Sequence, residues 1–349
     1  RVPGRIPAMP DWLETSGARI DVEETRALMD WPEAVCLAGD INPRLILNRD
    51  EEQFAKVDMA IARGFTVSGQ SPGLLGDELN AFAAAGPEDS HVALSAAEIV
   101  ENQRVGMRSV LTFRPHRLDR SQFRELARII AERGLETRFL QFCTDDVYPH
   151  DVVEEGLIDM RVRLAIEEGF DPITAYQVGT LNVAEGLRID REYGAIAPGR
   201  FADLMVLENF EKVAIDSVMI NGEWVFRDGE YLGGKRSFHY PQWSKETMRV
   251  ERPLTASDMR IEVSHNAHSA RVRAIAATTP KSEREFVLPV EAGVVLPDAE
   301  QDVSSIVVVE RHKASGRLGK GFVASLFVKR GAIASTVSHD AHNLMAVSY

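Results

Sequence analysis

An apolar run that ends in two adjacent acids is the stretch of this chain with the clearest chemical potential: Phe142-Cys143-Thr144-Asp145-Asp146. A turn and a helical pattern follow it. In barrel enzymes, catalytic groups stand at the carboxyl ends of buried parallel strands, which is the place this pattern gives to the two carboxylates. The segment therefore predicts a catalytic carboxylate. The alternative is that one of the two acids simply caps the next helix.

Composition excludes several classes of function. The chain has 349 residues, of which 44% are hydrophobic and 27% charged, as in ordinary globular proteins, and its net charge is −13. No basic run or basic–aromatic stripe occurs, which disfavours nucleic-acid binding. No run approaches the roughly 20 apolar residues of a membrane helix. The two cysteines, Cys36 and Cys143, lie in apolar runs and are predicted to be buried free thiols.

Strand-like and helix-like runs alternate from about residue 20 to residue 190. Helix-like runs end at glycines just before the next short apolar run, the usual punctuation of βα units, and the pattern predicts a parallel sheet, open or closed. The strand-like runs are 34–38, 65–68, 91–94, 107–113 and 136–143. The helix-like runs are 51–63, 74–85, 95–105 and 121–133, followed by two further helices at 151–169 and 172–186.

The pattern changes after residue 186. A strand follows the turn near Gly199, and Asn221-Gly222 and Asp228-Gly229 have the composition of tight hairpin turns. We predict four parts: a partial barrel carrying the catalytic residues (1–186), closing strands of a small β sandwich (187–235), a polar linker (236–256) and a C-terminal α+β domain (257–349).

Several motifs resemble the adenine deaminase family of the metal-dependent amidohydrolase superfamily. Gly-Ala-Ile-Ala-Pro-Gly-Arg-Phe-Ala-Asp-Leu (194–204) and the hairpin after it resemble the closing sandwich strands of that superfamily. Phe-Cys-Thr-Asp-Asp (142–146), Val-Glu-Arg-His-Lys (309–313) and Lys-Arg-Gly-Ala-Ile-Ala-Ser-Thr-Val-Ser-His-Asp-Ala-His-Asn (329–343) narrow the resemblance to adenine deaminases. The last run is the most specific, and the resemblance spans nearly the whole chain.

The resemblance implies an α/β fold: an amidohydrolase (β/α)8 barrel, a β sandwich and a C-terminal α+β domain. It implies hydrolysis of the exocyclic amine of adenine to give hypoxanthine and ammonia. In such chemistry a divalent metal (Mn, Fe or Zn) lowers the pKa of a bound water, and a carboxylate carries the proton to the leaving amine.

The metal-ligand positions of the family are only partly kept. The family's first barrel strand carries a His-x-His pair that occurs nowhere in this chain, so we expect that pair upstream of Arg1. Both ends of the chain look cut, and a barrel without its opening strands would have exposed sheet edges. Aligned on Asn42, the family's bridging Glu is Gly39 here. Asp40, one place later, is a candidate metal ligand, although its side chain would leave the other side of the strand.

Two neighbouring strands carry further candidates. Where the family has a His before Pro-Gly, this chain has Gln70. Because an amide is a poor transition-metal ligand, we predict that Gln70 binds substrate or water. Its alternative is a turn residue. His91 matches the family's Asp-His-Glu motif at the start of the next strand and is a candidate metal ligand, with a structural His as its alternative. Val92 replaces the Glu of that motif.

The two acids match the family without change. We predict that Asp145 contacts the metal and acts as the acid–base residue, and that Asp146 caps or orients it. His339 and His342 match the C-terminal motif and could bind substrate at the barrel mouth. Their alternative is a polar network that holds a turn.

Three hypotheses follow. The first is an adenine deaminase with at most one well-held metal, since Gly39 and Gln70 replace two ligands. The second is a non-catalytic paralogue, and the third an enzyme for another cyclic amide or amidine. We further expect a cytoplasmic homo-oligomer of purine metabolism with a purine-like small-molecule substrate and neither nucleic acid nor membrane as partner.

Overall fold

The computed structural model describes residues 1–7, 15–39, 41–113, 118–234, 237–277, 282–336, 338 and 342–349. These residues form two compact units. The first consists of Arg1–Arg5 and Ile20–Ser237, and the second of Ile6–Arg19 and Phe238–Tyr349. The finer division into barrel, sandwich, linker and C-terminal domain stays a prediction.

A parallel sheet is the framework of the first unit. Within the described residues its strands are Val2–Pro3 (β1), Cys36–Ala38 (β2), Thr66–Gly69 (β3), Asp89–Ser90 (β4), Arg108–Leu111 (β5) and Leu140–Phe142 (β6). They lie side by side in chain order, and every neighbouring pair is parallel. The carboxyl ends of all these strands therefore meet at one edge of the sheet. The predicted α/β organisation is confirmed.

Helices connect and cover the strands. They are Val22–Met29 (α1), Pro43–Leu47 (α2), Glu51–Ala62 (α3), Gly76–Ala84 (α4), Ala96–Arg104 (α5), Arg120–Arg133 (α6), Pro149–Glu154 (α7), Ile158–Glu167 (α8), Pro172–Gly179 (α9) and Leu181–Gly186 (α10). Side chains of Asp50 and Ser95 cap α3 and α5 at the positions where the sequence places their starts.

The prediction of single helices at 151–169 and 172–186 is wrong, because each is divided. Gly156, between α7 and α8, has φ +100°, a left-handed conformation that ends a helix and that glycine adopts without strain. Thr180, with φ −130° and ψ −86°, separates α9 from α10. Its hydroxyl donates to the Tyr176 carbonyl, which satisfies the end of α9.

The two faces of the parallel sheet differ in chemistry. Leu37 and Val67 are fully buried in a core formed with α1–α4, and a second core lies beneath β5 and β6. The opposite face carries polar side chains, among them Ser68 and Asp89, which are register partners on β3 and β4. The Ser68 hydroxyl donates to Oδ1 of Asp89 over 2.7 Å. The sheet thus packs its apolar face on helices and keeps a polar face on the other side.

The thiols are free, as predicted, but only Cys36 is buried; Cys143, just beyond β6, is half-buried. Removal from water raises the pKa of both thiols.

An antiparallel sheet completes the first unit. Its strands are Leu204–Asn209 (β7), Ala214–Ile220 (β8), Glu223–Arg227 (β9) and Glu230–Tyr231 (β10), in the order β10-β9-β8-β7. Asn221 and Gly222 have φ of 52° and 81°, and Asp228 and Gly229 have φ of 54° and 78°. Two adjacent residues with positive φ are the signature of a type I′ turn, so both predicted hairpins are confirmed.

The second unit is built mainly of strands. They are Ser269–Ala276 (β11), Ser282–Glu291 (β12), Val294–Val295 (β13), Val303–Val309 (β14), Leu318–Ala324 (β15), Ala332–Ser335 (β16) and Leu344–Ser348 (β17). The short helix Gln242–Lys245 (α11) and the 3₁₀ helix Ala256–Met259 precede them. The sheet order is β13-β12-β11-β15-β14-β17-β16. All neighbours are antiparallel except β11 and β15, which pair in parallel over only three register positions.

Across the described ranges, no helix has the length and apolarity needed to cross a membrane.

Candidate active site

Three predicted site residues stand at the carboxyl-terminal edge of the parallel sheet. Gln70 follows β3 directly, His91 follows β4 directly, and Asp145 comes three residues after β6. β3 and β4 are neighbours, and the His91 amide donates to the Gly69 carbonyl over 2.8 Å. β6 lies two strands beyond β4, about 10 Å away at the usual strand spacing. Topology thus brings Gln70, His91 and Asp145 to one edge.

The predicted position of His91 at the start of a strand is wrong. The strand in this region is Asp89–Ser90, so His91 lies beyond its carboxyl end, and residues 91–94 are not strand. The Ser90 hydroxyl explains why the strand ends at this residue, because it donates to the Val92 carbonyl and accepts from the Ser71 amide. This correction moves His91 from the far end of a strand to the edge where the functional groups of parallel-sheet enzymes gather.

The loop after β6 gives Asp145 an unusual backbone. Its φ is 55°, a left-handed conformation that is uncommon for residues other than glycine, asparagine and aspartate. The Asp145 amide faces the Cys143 sulfur at 3.3 Å, and the Asp146 amide donates to Oδ1 of Asp145 over 2.7 Å. The side chain of Asp145 is half-buried and that of Asp146 is exposed. The turn therefore fixes one oxygen of the Asp145 carboxylate through the next residue's amide.

The alternative of a helix cap after β6 is wrong for both acids, and so is the expectation that Asp146 caps. The N-cap residue of α7 is Tyr148, which makes no side-chain cap, and Pro149 occupies the first helical turn and needs no acceptor for an N–H. The orienting role predicted for Asp146 has a physical counterpart in its amide bond to Asp145.

A cavity of about 190 Å³ opens beside this loop. Its lining combines carboxylates, one guanidinium and apolar side chains: Phe113, Asp146, Val147, Asp151, Glu155, Met160 and Arg161, with Gly156. Phe113 follows β5 and Asp146 follows β6, so the cavity lies at the same sheet edge.

Sequence reasoning missed two charged residues near these groups. Asp89 lies on the polar face of the sheet, two residues before His91; burial raises the pKa of Asp89 to about 6, although the hydrogen bond from Ser68 acts in the opposite direction. Arg161 on α8 is 2% exposed and donates to the Thr144 carbonyl over 3.0 Å. Two sequence signals could have identified these residues: Asp89 is an acid next to an apolar run, and Arg161 is an arginine among the apolar residues of a helix.

The remaining candidates are placed differently. Asp40 and His339 lie outside the described residues. Gly39, which aligns with the family's bridging Glu, has φ +65°, a conformation that a glutamate adopts only with strain. His342 belongs to the second unit and is exposed. Its amide bonds to the Ser338 carbonyl and its own carbonyl accepts from Nε of Arg311, contacts of the kind expected for the turn alternative.

The described ranges contain no group of three His, Cys, Asp or Glu side chains that could hold a metal ion. Gln70, His91 and Asp145 share an edge, but His91 and Asp145 do not make a complete metal site on their own. Three or more protein ligands are the rule for catalytic metal sites of this kind.

Comparison with protein families identifies the fold. Residues 40–225 match the model described as Amidohydrolase family, and residues 278–349 match the one described as Adenine deaminase C-terminal domain. The chain belongs to the amidohydrolase family. Amidohydrolases generally use a divalent metal and act on carbon–nitrogen bonds. The resemblance inferred from the sequence motifs is confirmed at the level of the family.

Relatives of this amidohydrolase include proteins named adenine deaminase. Adenine deaminase 3 of Rhizobium meliloti (strain 1021) is 34% identical over 355 residues, which cover 99% of this chain and 58% of the relative. Adenine deaminase of Methanothrix thermoacetophila is 37% identical over 346 residues, with the same two coverages. The chain thus spans about 58% of the length of these relatives. Among solved structures, N-acetyl-D-glucosamine-6-phosphate deacetylase from Mycobacterium smegmatis has 17% identity and a TM-score of 0.47 over 60% of each chain.

Replacing Gln70 with histidine is expected to increase the amount of divalent metal that the purified amidohydrolase retains. Gln70 is half-buried just after β3, and His91 follows the neighbouring strand β4. An imidazole at position 70 would add a nitrogen ligand at the same sheet edge as the imidazole of His91. Metal content per chain, measured by elemental analysis after dialysis, tests this.

Asn80→His is the matched control, because it adds an imidazole on the exposed face of α4. Equal metal content in the Gln70→His variant and the wild type would mean that the alignment of β3 with the family's ligand strand is wrong. The Gly39→Glu change is a poor companion for this test because of the left-handed backbone of Gly39.

Proposed function

We propose that this amidohydrolase catalyses the hydrolytic deamination of adenine to hypoxanthine and ammonia. The observation that carries the proposal is the position of Asp145, three residues beyond β6 at the sheet edge that it shares with His91 and Gln70. Relatives named adenine deaminase, at 34% and 37% identity over 99% of this chain, support the choice of adenine as substrate.

The reaction adds water to the ring carbon that bears the exocyclic amine and then breaks the bond between that carbon and the amine nitrogen. Asp145 accepts the proton that the attacking water loses and delivers it to the amine, which leaves as ammonia. The Asp146 amide, bound to Oδ1 of Asp145, holds one carboxylate oxygen in place.

The other site residues have supporting roles in this proposal. The carboxamide of Gln70 hydrogen-bonds substrate or water. His91, Asp145 and Asp40 are proposed ligands of one divalent metal (Mn, Fe or Zn). Such an ion, when bound, supplies the Lewis acidity that lowers the pKa of a water.

The wider setting of the protein is also part of the proposal. The substrate is a small purine, the enzyme is a homo-oligomer, and its location is the cytoplasm. The absence of a membrane-spanning helix in the described ranges is compatible with that location.

The test is ammonia release from adenine by the intact protein in the presence of Mn²⁺, Fe²⁺ or Zn²⁺, with hypoxanthine identified by mass spectrometry. We expect equal amounts of both products. No hypoxanthine with any of the three metals would refute the proposal. Ammonia released from another cyclic amidine, but not from adenine, would favour the substrate-shifted alternative.

A further inference from the structure

We propose that Arg161 is a positioning residue for the reaction: its buried guanidinium holds the loop that carries Asp145 at the carboxyl end of β6. The kinetic part of this inference rests on the proposed deaminase function. The structural part, that Arg161 orders the loop, does not depend on it.

The contacts of Arg161 join two parts of the first unit. Nη2 donates to the Thr144 carbonyl and Nη1 to the Leu157 carbonyl, each over 3.0 Å. Thr144 immediately precedes Asp145, whereas Leu157 is the N-cap residue of α8. One side chain therefore links the loop that carries Asp145 to the start of a helix.

Helix α8 provides a firm base for this link. Val162, Leu164 and Ala165 are buried in the same core as Phe142, the last residue of β6. The helix and the strand are thus fixed to each other by packing, while the loop that follows β6 turns through the left-handed residue Asp145. Through Arg161, the loop is held from a helix whose position relative to β6 is already set.

The buried charge of Arg161 argues against the explanation that this side chain only fills space in the core. Arg161 is 2% exposed, and taking a guanidinium out of water costs several kcal/mol in order-of-magnitude terms, so a long apolar side chain would fill this space at lower cost. What an apolar side chain cannot do is donate two hydrogen bonds in a fixed fork. Arg161 also lines the cavity of about 190 Å³ next to Asp146, which brings its positive charge to the sheet edge.

The kinetic test compares Arg161→Met with Arg163→Met. Arg163 lies on the same helix, but its guanidinium donates to the carbonyls of Lys212 and Glu155 and to the carboxylate of Asp159. A displacement of about 1 Å at a reacting group can lower the rate about 100-fold. We therefore expect kcat of Arg161→Met to fall by about that factor with KM within threefold of the wild type, and kcat of Arg163→Met to stay within threefold.

Arg161→Lys is the rescue variant. A lysine keeps the charge and can donate to the Thr144 carbonyl but cannot hold both carbonyls in a fork, so its kcat should lie between those of Arg161→Met and the wild type. A kcat of Arg161→Met within twofold of the wild type would overturn the inference, as would a loss confined to KM. Failure of the wild type to deaminate adenine would refute the proposed function instead.

Hydrogen–deuterium exchange tests the structural part without any activity. Amides of residues 143–146 should exchange at least tenfold faster in Arg161→Met than in the wild type, and at the wild-type rate in Arg163→Met. Unchanged exchange in Arg161→Met would overturn the inference, whatever the substrate of the enzyme proves to be.

Discussion

Replacing Asp145 with asparagine is expected to lower kcat for adenine deamination by at least about 100-fold, the lower end of the contribution of a general acid–base group. The variant should fold normally. Asparagine adopts the left-handed conformation of residue 145 readily, and its Oδ1 can still accept the 2.7 Å bond from the Asp146 amide. The change thus removes the transferable proton and the charge while keeping the geometry. Steady-state ammonia release, combined with thermal unfolding, measures both effects.

Asp228→Asn is the matched control for this prediction. Asp228 also has a left-handed backbone, with φ 54°, but it belongs to the β9–β10 hairpin. The control should retain wild-type kcat and stability. Retention of wild-type kcat by Asp145→Asn would refute the role assigned to the residue, and unfolding of that variant would make Asp145 a structural residue.

The second large effect is expected in the C-terminal unit, where Glu310→Gln should destabilise the fold by about 3 kcal/mol. Glu310 follows β14 and is 4% exposed. Burial alone would raise the pKa of its carboxyl. The carboxylate accepts hydrogen bonds from the amide and hydroxyl of Ser315 and from the amides of Lys313 and His312. These bonds outweigh burial and lower the pKa of Glu310 to about 2. A shift from 4.5 to about 2 corresponds to about 3 kcal/mol of stabilisation at neutral pH. Glutamine cannot accept from all of these donors because its NH₂ group is itself a donor.

The same carboxylate gives the stability a pH dependence of known sign. Between pH 4.5 and pH 2 the unfolded chain binds a proton at this group that the native state does not, so the contribution is fully present above about pH 4.5 and is lost as the pH falls to about 2. Urea unfolding of the second unit at pH 7 and at pH 3 measures it. The stability difference between wild type and Glu310→Gln should shrink on acidification, whereas Glu291→Gln, at an exposed site on β12, should match the wild type at both values. A Glu310→Gln variant as stable as the wild type at pH 7 would contradict the prediction.

The elements that local chemistry specifies were predictable from sequence. Helix α3 begins after Asp50 and ends before Gly64, and α6 ends at Gly134 in the left-handed conformation, because caps and C-terminal glycines act within one turn of the chain. Both type I′ hairpins follow from Asn-Gly and Asp-Gly for the same reason.

Other features depend on contacts that no local pattern reveals. The sequence places a strand at 91–94 and not at Asp89–Ser90, because Asp89 is charged. The carboxylate of Asp89 is accommodated in the sheet by its hydrogen bond from Ser68 on the neighbouring strand. The reason for the burial of Arg161 cannot be read from the sequence, because one of its two partners, the Thr144 carbonyl, is 17 residues away. Both cases need the tertiary structure to supply a partner for a charge.

The candidate site was predictable where strand ends carry the signal. Gln70 and Asp145 follow short apolar runs, so their placement at the sheet edge could be inferred from the β–α alternation alone. The left-handed backbone of Asp145 could not, because the turn depends on bonds within 143–146 that have no pattern in the sequence. The roles of His91, Gln70, Asp40, His339 and His342 stay predictions.

The narrow parallel pairing of β11 with β15 has a consequence for the order of folding. The antiparallel pairs on either side, β11–β12 and β14–β15, join strands that are consecutive in the chain. Because the loop-closure entropy of such pairs is small, they can form early in folding. The pairing of β11 with β15 over three positions brings together strands more than 40 residues apart in sequence and connects the two halves of the sheet. We therefore expect the β11–β15 pairing to be the last to form in the C-terminal sheet during synthesis. We also expect it to be the first to break when the sheet is pulled apart by mechanical force.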